Sequence, residues 1–114
     1  MDQKRPVTHT TDHLNREIVR VRLTRGLTAT VLKSDYDAIT ARGFSNWYAN
    51  TNGMGRYYAS IIDPERPDGR PAPLSVARII TGCSEYQRVC YRDADSMNLL
   101  PENLYVARKG NPNK

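Results

Sequence analysis

Between Asp63 and Pro73 the chain carries four prolines, Pro64, Pro67, Pro71 and Pro73, with Gly69 among them. Proline lacks the N–H that a helix interior or a central strand requires, so this stretch is excluded from any interior element. It separates a segment over 16–62 from one over 74–110. The two have to form one unit, because 114 residues bury enough surface for one stable domain and not for two. Residues 63–73 are therefore expected to be an exposed connection, a kind of insertion that costs a fold little.

Periodicity limits what each segment can be. Residues 1–15 show none and are rich in Thr, Asp, Lys, Arg and His, which reads as a flexible arm. From Glu17, Val19, Val21 and Leu23 alternate with Ile18, Arg20 and Arg22. After Arg25-Gly26, Leu27, Ala29 and Val31 alternate with Thr28 and Thr30. Two period-two runs around a glycine predict a β-hairpin. Ser34 then stands as an N-cap, acids follow in the first turn, Tyr36 and Ile39 are the apolar positions and Gly43 is the stop, which predicts a short helix. Phe44 to Asn50 and Arg56 to Ile62 are aromatic, β-rich runs around the loop Asn50-Thr51-Asn52-Gly53-Met54-Gly55, a second hairpin. Beyond the prolines, Leu74, Ala77, Arg78 and Ile80 have helical spacing and Gly82 closes them. Arg88 to Arg92 is β-like, and Pro101 suits the first turn of a last helix that starts near Leu100 and buries Leu104. The fold class expected is α+β, small antiparallel hairpins with short packing helices.

Composition narrows the partners. The net charge is +5, and thirteen of the seventeen basic residues are Arg, whose planar fork suits phosphate oxygens and base edges. A charge of this size also serves solubility alone. No run is long and apolar enough for a membrane helix, and the start Met1-Asp2-Gln3-Lys4-Arg5-Pro6 has no apolar stretch after its charges, so no membrane partner and a cytoplasmic location are expected. Cys83 and Cys90 are too few for a disulfide framework or a four-ligand zinc site and read as plain thiols. His9 and His13 stand four apart, a metal-binding spacing on a helix, but Pro6 and the missing apolar pattern argue against a helix there.

Period two sets Arg16, Arg20 and Arg22 on one face of the first strand and Val19, Val21 and Leu23 on the other. An arginine-bearing sheet face can clamp phosphates or bond guanine edges, and Arg25, Lys33 and Arg56 add to it. The same pattern also fits the solvated face of a half-buried sheet. Trp47, Tyr48, Tyr57 and Tyr58 have rings that stack on bases, yet aromatics at alternate strand positions more often pack a core, and that is the reading for Trp47 and Tyr57. Tyr58 shares a face with Arg56 and joins the candidate DNA contacts.

Arg22-Leu23-Thr24-Arg25-Gly26-Leu27-Thr28-Ala29-Thr30-Val31, then Ser34-Asp35-Tyr36-Asp37-Ala38-Ile39, Trp47-Tyr48-Ala49 and Arg56-Tyr57-Tyr58-Ala59 resemble the front half of phage-type HNH homing endonucleases. Ala77-Arg78-Ile79-Ile80-Thr81-Gly82 is similar to the family's His-Arg-Leu-Ile-x-Gly helix, and Val89 to Ala107 resembles its Val-Asp-His…Leu-Asp-Asn-Arg-x-x-Asn-Leu-x-x-Ala core. The match covers 18–111. It implies a single domain over 16–114, with a DNA-reading half at 16–62 and a degenerate ββα half at 74–110. More loosely, 17–62 resembles the ethylene-response-factor type of DNA-binding domain in its order of strands.

The resemblance also shows which chemistry is missing. The family's Asp-His pair, a metal ligand and the general base that activates water, falls on Cys90-Tyr91. A tyrosine is protonated at neutral pH and a thiol is a poor ligand for magnesium. The helix His is Ala77, the Leu-Asp-Asn-Arg turn reads Met97-Asn98-Leu99-Leu100, and Asn111 and Asn113 each miss the late metal-ligand position by one residue. Asn103-Leu104 keeps the family's Asn-Leu, where the Asn braces a loop. Arg78, Arg88, Arg92, Arg108 and Lys109 surround the former centre, where family members hold the DNA backbone. The resemblance therefore implies a non-cleaving binder of double-stranded DNA, regulatory or architectural and of phage or mobile-element type, with no cofactor or metal. The rival is a protein-binding inhibitor or adaptor of a host nuclease or defence complex. A third reading retains a metal through Cys90 or the late asparagines.

Overall fold

The computed structural model describes residues 6–44, 46–51, 53–63, 72–84 and 86–108. Its first unit is an antiparallel sheet of three strands in the order β1 (Val7–Thr11), β2 (Glu17–Arg22), β3 (Thr28–Leu32). The β2–β3 hairpin forms where the alternation predicts it. A 3-10 turn at Thr24–Gly26 joins the strands, with Arg25 at φ 62° and Gly26 at φ 74°. Val19, Val21, Ala29 and Val31 are buried on one face while Arg20 and Arg22 are exposed on the other; Ile18, of the same parity as the arginines, is nevertheless buried.

The flexible arm is corrected over Val7–Thr11, which pairs with β2 from Val7↔Val21 to Thr11↔Glu17. Its sequence, VTHTT, is largely β-branched, but four of its five residues are exposed, so no apolar alternation announces it. The ladder and the turn after it supply the stability. Asp12 closes that turn, its Oδ1 accepting the N–H groups of Leu14 and Arg16 at 3.0 and 2.9 Å. With His9 on the strand and His13 in the turn after it, the two lose the helical spacing that would bring them together.

Helix α1 (Lys33–Ala41) follows β3 without a break. Ser34 is inside the helix rather than its cap: Leu32 occupies that position and no side chain caps the end. Ile39 is buried and Gly43, at φ 90°, ends the helix as expected. Strand β4 is shorter than the predicted run, Tyr48–Thr51, because Phe44 and Trp47 turn into the core, where the Trp47 indole N–H donates to the Phe44 carbonyl at 3.1 Å.

The second sheet runs β4, β5 (Tyr57–Asp63), β6 (Ala72–Ser75), all antiparallel. Here the reading of 63–73 as a connection is corrected at its end, since Pro73 sits in β6 opposite Ile62 and Leu74 belongs to the strand rather than to the helix after it. β6 is an edge strand, where a missing N–H is tolerated. Residues 64–71 lie outside the described residues. Helix α2 (Val76–Thr81) buries Val76 and Ala77, and Gly82 stops it in a left-handed conformation with its N–H on the Arg78 carbonyl.

The last unit is a hairpin of β7 (Gln87–Tyr91) and β8 (Leu104–Arg108), registered from Gln87↔Arg108 to Tyr91↔Leu104. The helix expected from Leu100 is corrected to a single 3-10 turn, Pro101–Asn103, followed by β8. Pro101 does open that turn and Leu104 is buried, but Tyr105 and Val106 extend instead of coiling because β7 offers them a ladder. One core joins the three units through Val19, Val21, Val31, Trp47, Ile61, Val76 and Leu99. Backbone bonds from Thr30 to Met97 and from Leu99 to Thr30, at 2.9 and 2.8 Å, fasten β3 to the loop before β8.

Candidate nucleic-acid interface

The predicted contacts divide between two places. On the outer face of the first sheet, Arg20 lies between Thr8 and Thr30 and Arg22 lies beside Thr28. Among the described residues neither guanidinium makes a hydrogen bond or an ion pair, so both present their full fork to solvent. Arg16 leaves this face: it sits in the β1–β2 turn and bonds both Asp12 and Glu102 at 2.7 Å. Those two carboxylates hold its guanidinium charged, and it in turn lowers Asp12 to about 2. Lys33 is likewise paired, with Asp37 at 2.7 Å. A depression of about 470 Å³ between the β1–β2 turn and α1 is lined by Arg16 and Lys33 together with Glu17 and Asp37, which leaves little net charge there for an anion.

The second place is a groove of about 430 Å³ between the second sheet and β7. Alternation along the strands builds it: Asn50, Tyr58, Ser60, Pro73 and Ser75 share one face of β4–β5–β6, and Val89 and Tyr91 share one face of β7. Arg78 and Arg88 complete the lining. The Tyr58 and Tyr91 rings are 6.1 Å apart, and the Arg56 guanidinium lies over both, at 5.9 and 5.7 Å, while donating to the Ala94 carbonyl at 2.7 Å. Burial pushes the Tyr91 hydroxyl up to about 12, with Tyr58 adding to the shift and Arg56 opposing it.

The groove thus brings together Tyr58, Arg78, Arg88 and Tyr91, with Arg56 against its tyrosines. Arg78 has another task as well, donating to the carbonyls of Gln87, at 2.9 Å, and Ser84, and so pinning the segment that leads into β7. Arg25, at the β2–β3 turn, lies 5.0 Å over Tyr57, and Arg92 lies 4.7 Å over Tyr105. Arg108 ends β8 and is exposed, and Lys109, Asn111 and Asn113 lie outside the described residues. Trp47 is core and Tyr57 half-buried against it.

Of the other residues singled out in the sequence, Ala77 is buried in α2, and Cys90 and Tyr91, being adjacent on a strand, direct their side chains to opposite faces. Asn103 is the residue whose part is clearest. Nearly fully buried, it accepts the Asp93 N–H at 2.8 Å through Oδ1, donates to the Asn98 carbonyl at 2.9 Å through Nδ2, and its own carbonyl accepts the Arg92 N–H at 2.8 Å. These bonds brace the loop between β7 and β8. Asp93, bonded to Asn98 and to the Asp95 N–H, is held below the usual carboxylate range.

Sequence reasoning missed Asn50, Ser60 and Ser75. Asn50 reads as a turn residue, and the serines carry no charge or ring to mark them; only the cross-strand register Asn50↔Tyr58 and Ser60↔Ser75 aligns them on one face. Comparison of the chain with protein-family models, with curated proteins and with solved structures finds no match in any of the three.

Proposed function

We propose that the protein binds double-stranded DNA without cutting it, on a scaffold related to the HNH nucleases, in a regulatory or architectural role. The observation that carries this reading is the set of exposed arginines, Arg20, Arg22, Arg88 and Arg108, whose guanidiniums make no hydrogen bond or ion pair among the described residues. Arg16 is already engaged by two carboxylates, whereas unpaired forks are available to phosphate oxygens.

Tyr91 supports the absence of cleavage. A hydroxyl held near 12 does not take a proton from water at neutral pH, and Cys90 faces away from it. On the reading of 74–110 as a degenerate ββα unit, the antiparallel β7–β8 pair supplies two strands braced by Asn103, while the helix described in this half, α2, precedes them in the chain.

Fluorescence anisotropy of labelled random-sequence duplex tests the proposal, run at two salt concentrations with magnesium and followed by a gel of the DNA. Binding is expected to weaken steeply with salt, by a log–log slope of about 0.9 per phosphate contacted, and the DNA is expected to stay intact. Cut DNA would refute the non-cleaving reading. No binding at low salt would refute DNA as the partner and direct the search to an acidic protein surface.

A further inference from the structure

We infer that the groove between the second sheet and β7 takes one unpaired nucleotide, so that the protein prefers DNA with a frayed or forked position to an intact duplex; this rests on the DNA-binding reading above. Size is the first argument. A volume of about 430 Å³ has room for a single base, and a base inside a stacked duplex cannot enter it.

Chemistry is the second. Tyr58 and Tyr91 offer rings for stacking, which every base accepts because every base has a π-face. Asn50 and Ser75 add neutral donors and acceptors of the kind that bond a base edge, and Arg88 supplies charge for the phosphate that accompanies it. A site for phosphate alone needs no rings. The outer face of the first sheet is such a surface, with arginines and threonines from β1, β2 and β3 and no aromatic side chain of those strands beside Arg20 or Arg22.

Preorganisation is the third. Arg56 lies over both rings and is itself tied to the Ala94 carbonyl, so the tyrosines are already positioned and lose little rotamer freedom when a base arrives.

The test compares a labelled blunt duplex with the same duplex ending in an unpaired fork, at one salt concentration. The fork is expected to bind more tightly, by a factor between about five and about 150, the worth of the roughly 1–3 kcal/mol from stacking one base on an aromatic side chain. Tyr58→Leu is expected to lower the fork-to-duplex ratio toward one. A 2-aminopurine placed in the fork gives a reading on the unaltered protein: its fluorescence should be quenched on binding, and should not change when the same base is paired inside the duplex. Equal affinity for both DNAs with no quenching would overturn this inference and leave duplex binding standing. No binding to either would overturn both.

Discussion

The two candidate surfaces use the same residue type differently. On the first sheet, Arg20 and Arg22 stand on a regular ladder, flanked by threonines and tied to nothing among the described residues. Around the groove, Arg56 rests on Tyr58 and Tyr91 and Arg78 is bonded to two carbonyls, which leaves Arg88 as the lining arginine without a partner among the described residues. An arginine with no partner contributes charge and little stability. One that bridges rings or carbonyls contributes structure first, and its charge is only partly at liberty. Counting arginines in the sequence therefore overstates the second surface as a phosphate clamp and understates it as a shaped, aromatic site.

That contrast can be broken at several levels, beginning with the core both surfaces share. Trp47 is almost fully buried and touches Tyr36 at 5.5 Å between ring centroids, so Trp47→Ala should cost about 3–5 kcal/mol and unfold both sheets in one transition. Two separate transitions in urea, read by circular dichroism, would mean that the surfaces belong to independent units.

Next comes Asn103→Ala, which leaves the Asp93 N–H and the Asn98 carbonyl without their partner in a half-buried loop. A loss of about 2–3 kcal/mol is expected, measured by the urea midpoint, with hydrogen exchange accelerated at 92–98. A change within the error of the measurement would show that the loop holds itself.

The arginines separate the two surfaces directly. Arg78→Ala should lower stability by about 1–2 kcal/mol through two lost carbonyl bonds, and Arg78→Lys should recover only part, since an ammonium cannot reproduce the fork. Arg20→Ala and Arg22→Ala should leave stability within about 0.5 kcal/mol, yet each should reduce the salt slope of DNA binding by about one. If Arg20 and Arg22 variants keep the wild-type slope, the first sheet is not a DNA surface.

The smallest effects are with pH. Asp12, at about 2 in the fold against an ordinary value near 3.8, stabilises the fold fully above pH ~4, and that contribution is lost as pH falls toward 2. Exchange protection of β1 should drop across that window, and Asp12→Asn should abolish the dependence. Tyr91 runs the other way: with its folded value raised to about 12, the fold is favoured below pH ~10 and loses that advantage as pH climbs through 12. Absorbance at 295 nm should show a tyrosine that titrates late, and Tyr91→Phe should remove it.

How far the chain could be read depended on whether the evidence for each element was local. The β2–β3 hairpin, the stops at Gly43 and Gly82, strand β7 and the burial of Trp47 follow from periodicity and turn chemistry within a few residues. The groove was half legible: Tyr58, Arg78, Arg88 and Tyr91 carry rings or charge, whereas Asn50, Ser60 and Ser75 became part of it only through cross-strand register.

By itself the sequence determined the α+β class, the principal core positions of β2, β3 and β4–β5, and a surplus of arginine on the outer face of β2. Tertiary structure alone decided that Val7–Thr11 is a strand, that Pro73 is tolerated in β6, and that Leu104–Arg108 extends instead of coiling. It also decided that Arg16 and Arg78 are engaged while Arg20 and Arg22 are not. The reason is physical. Helix stops and amphipathic strands are specified by neighbours along the chain, whereas an edge strand and the partner of a guanidinium depend on hydrogen-bonding groups that distant residues bring into place.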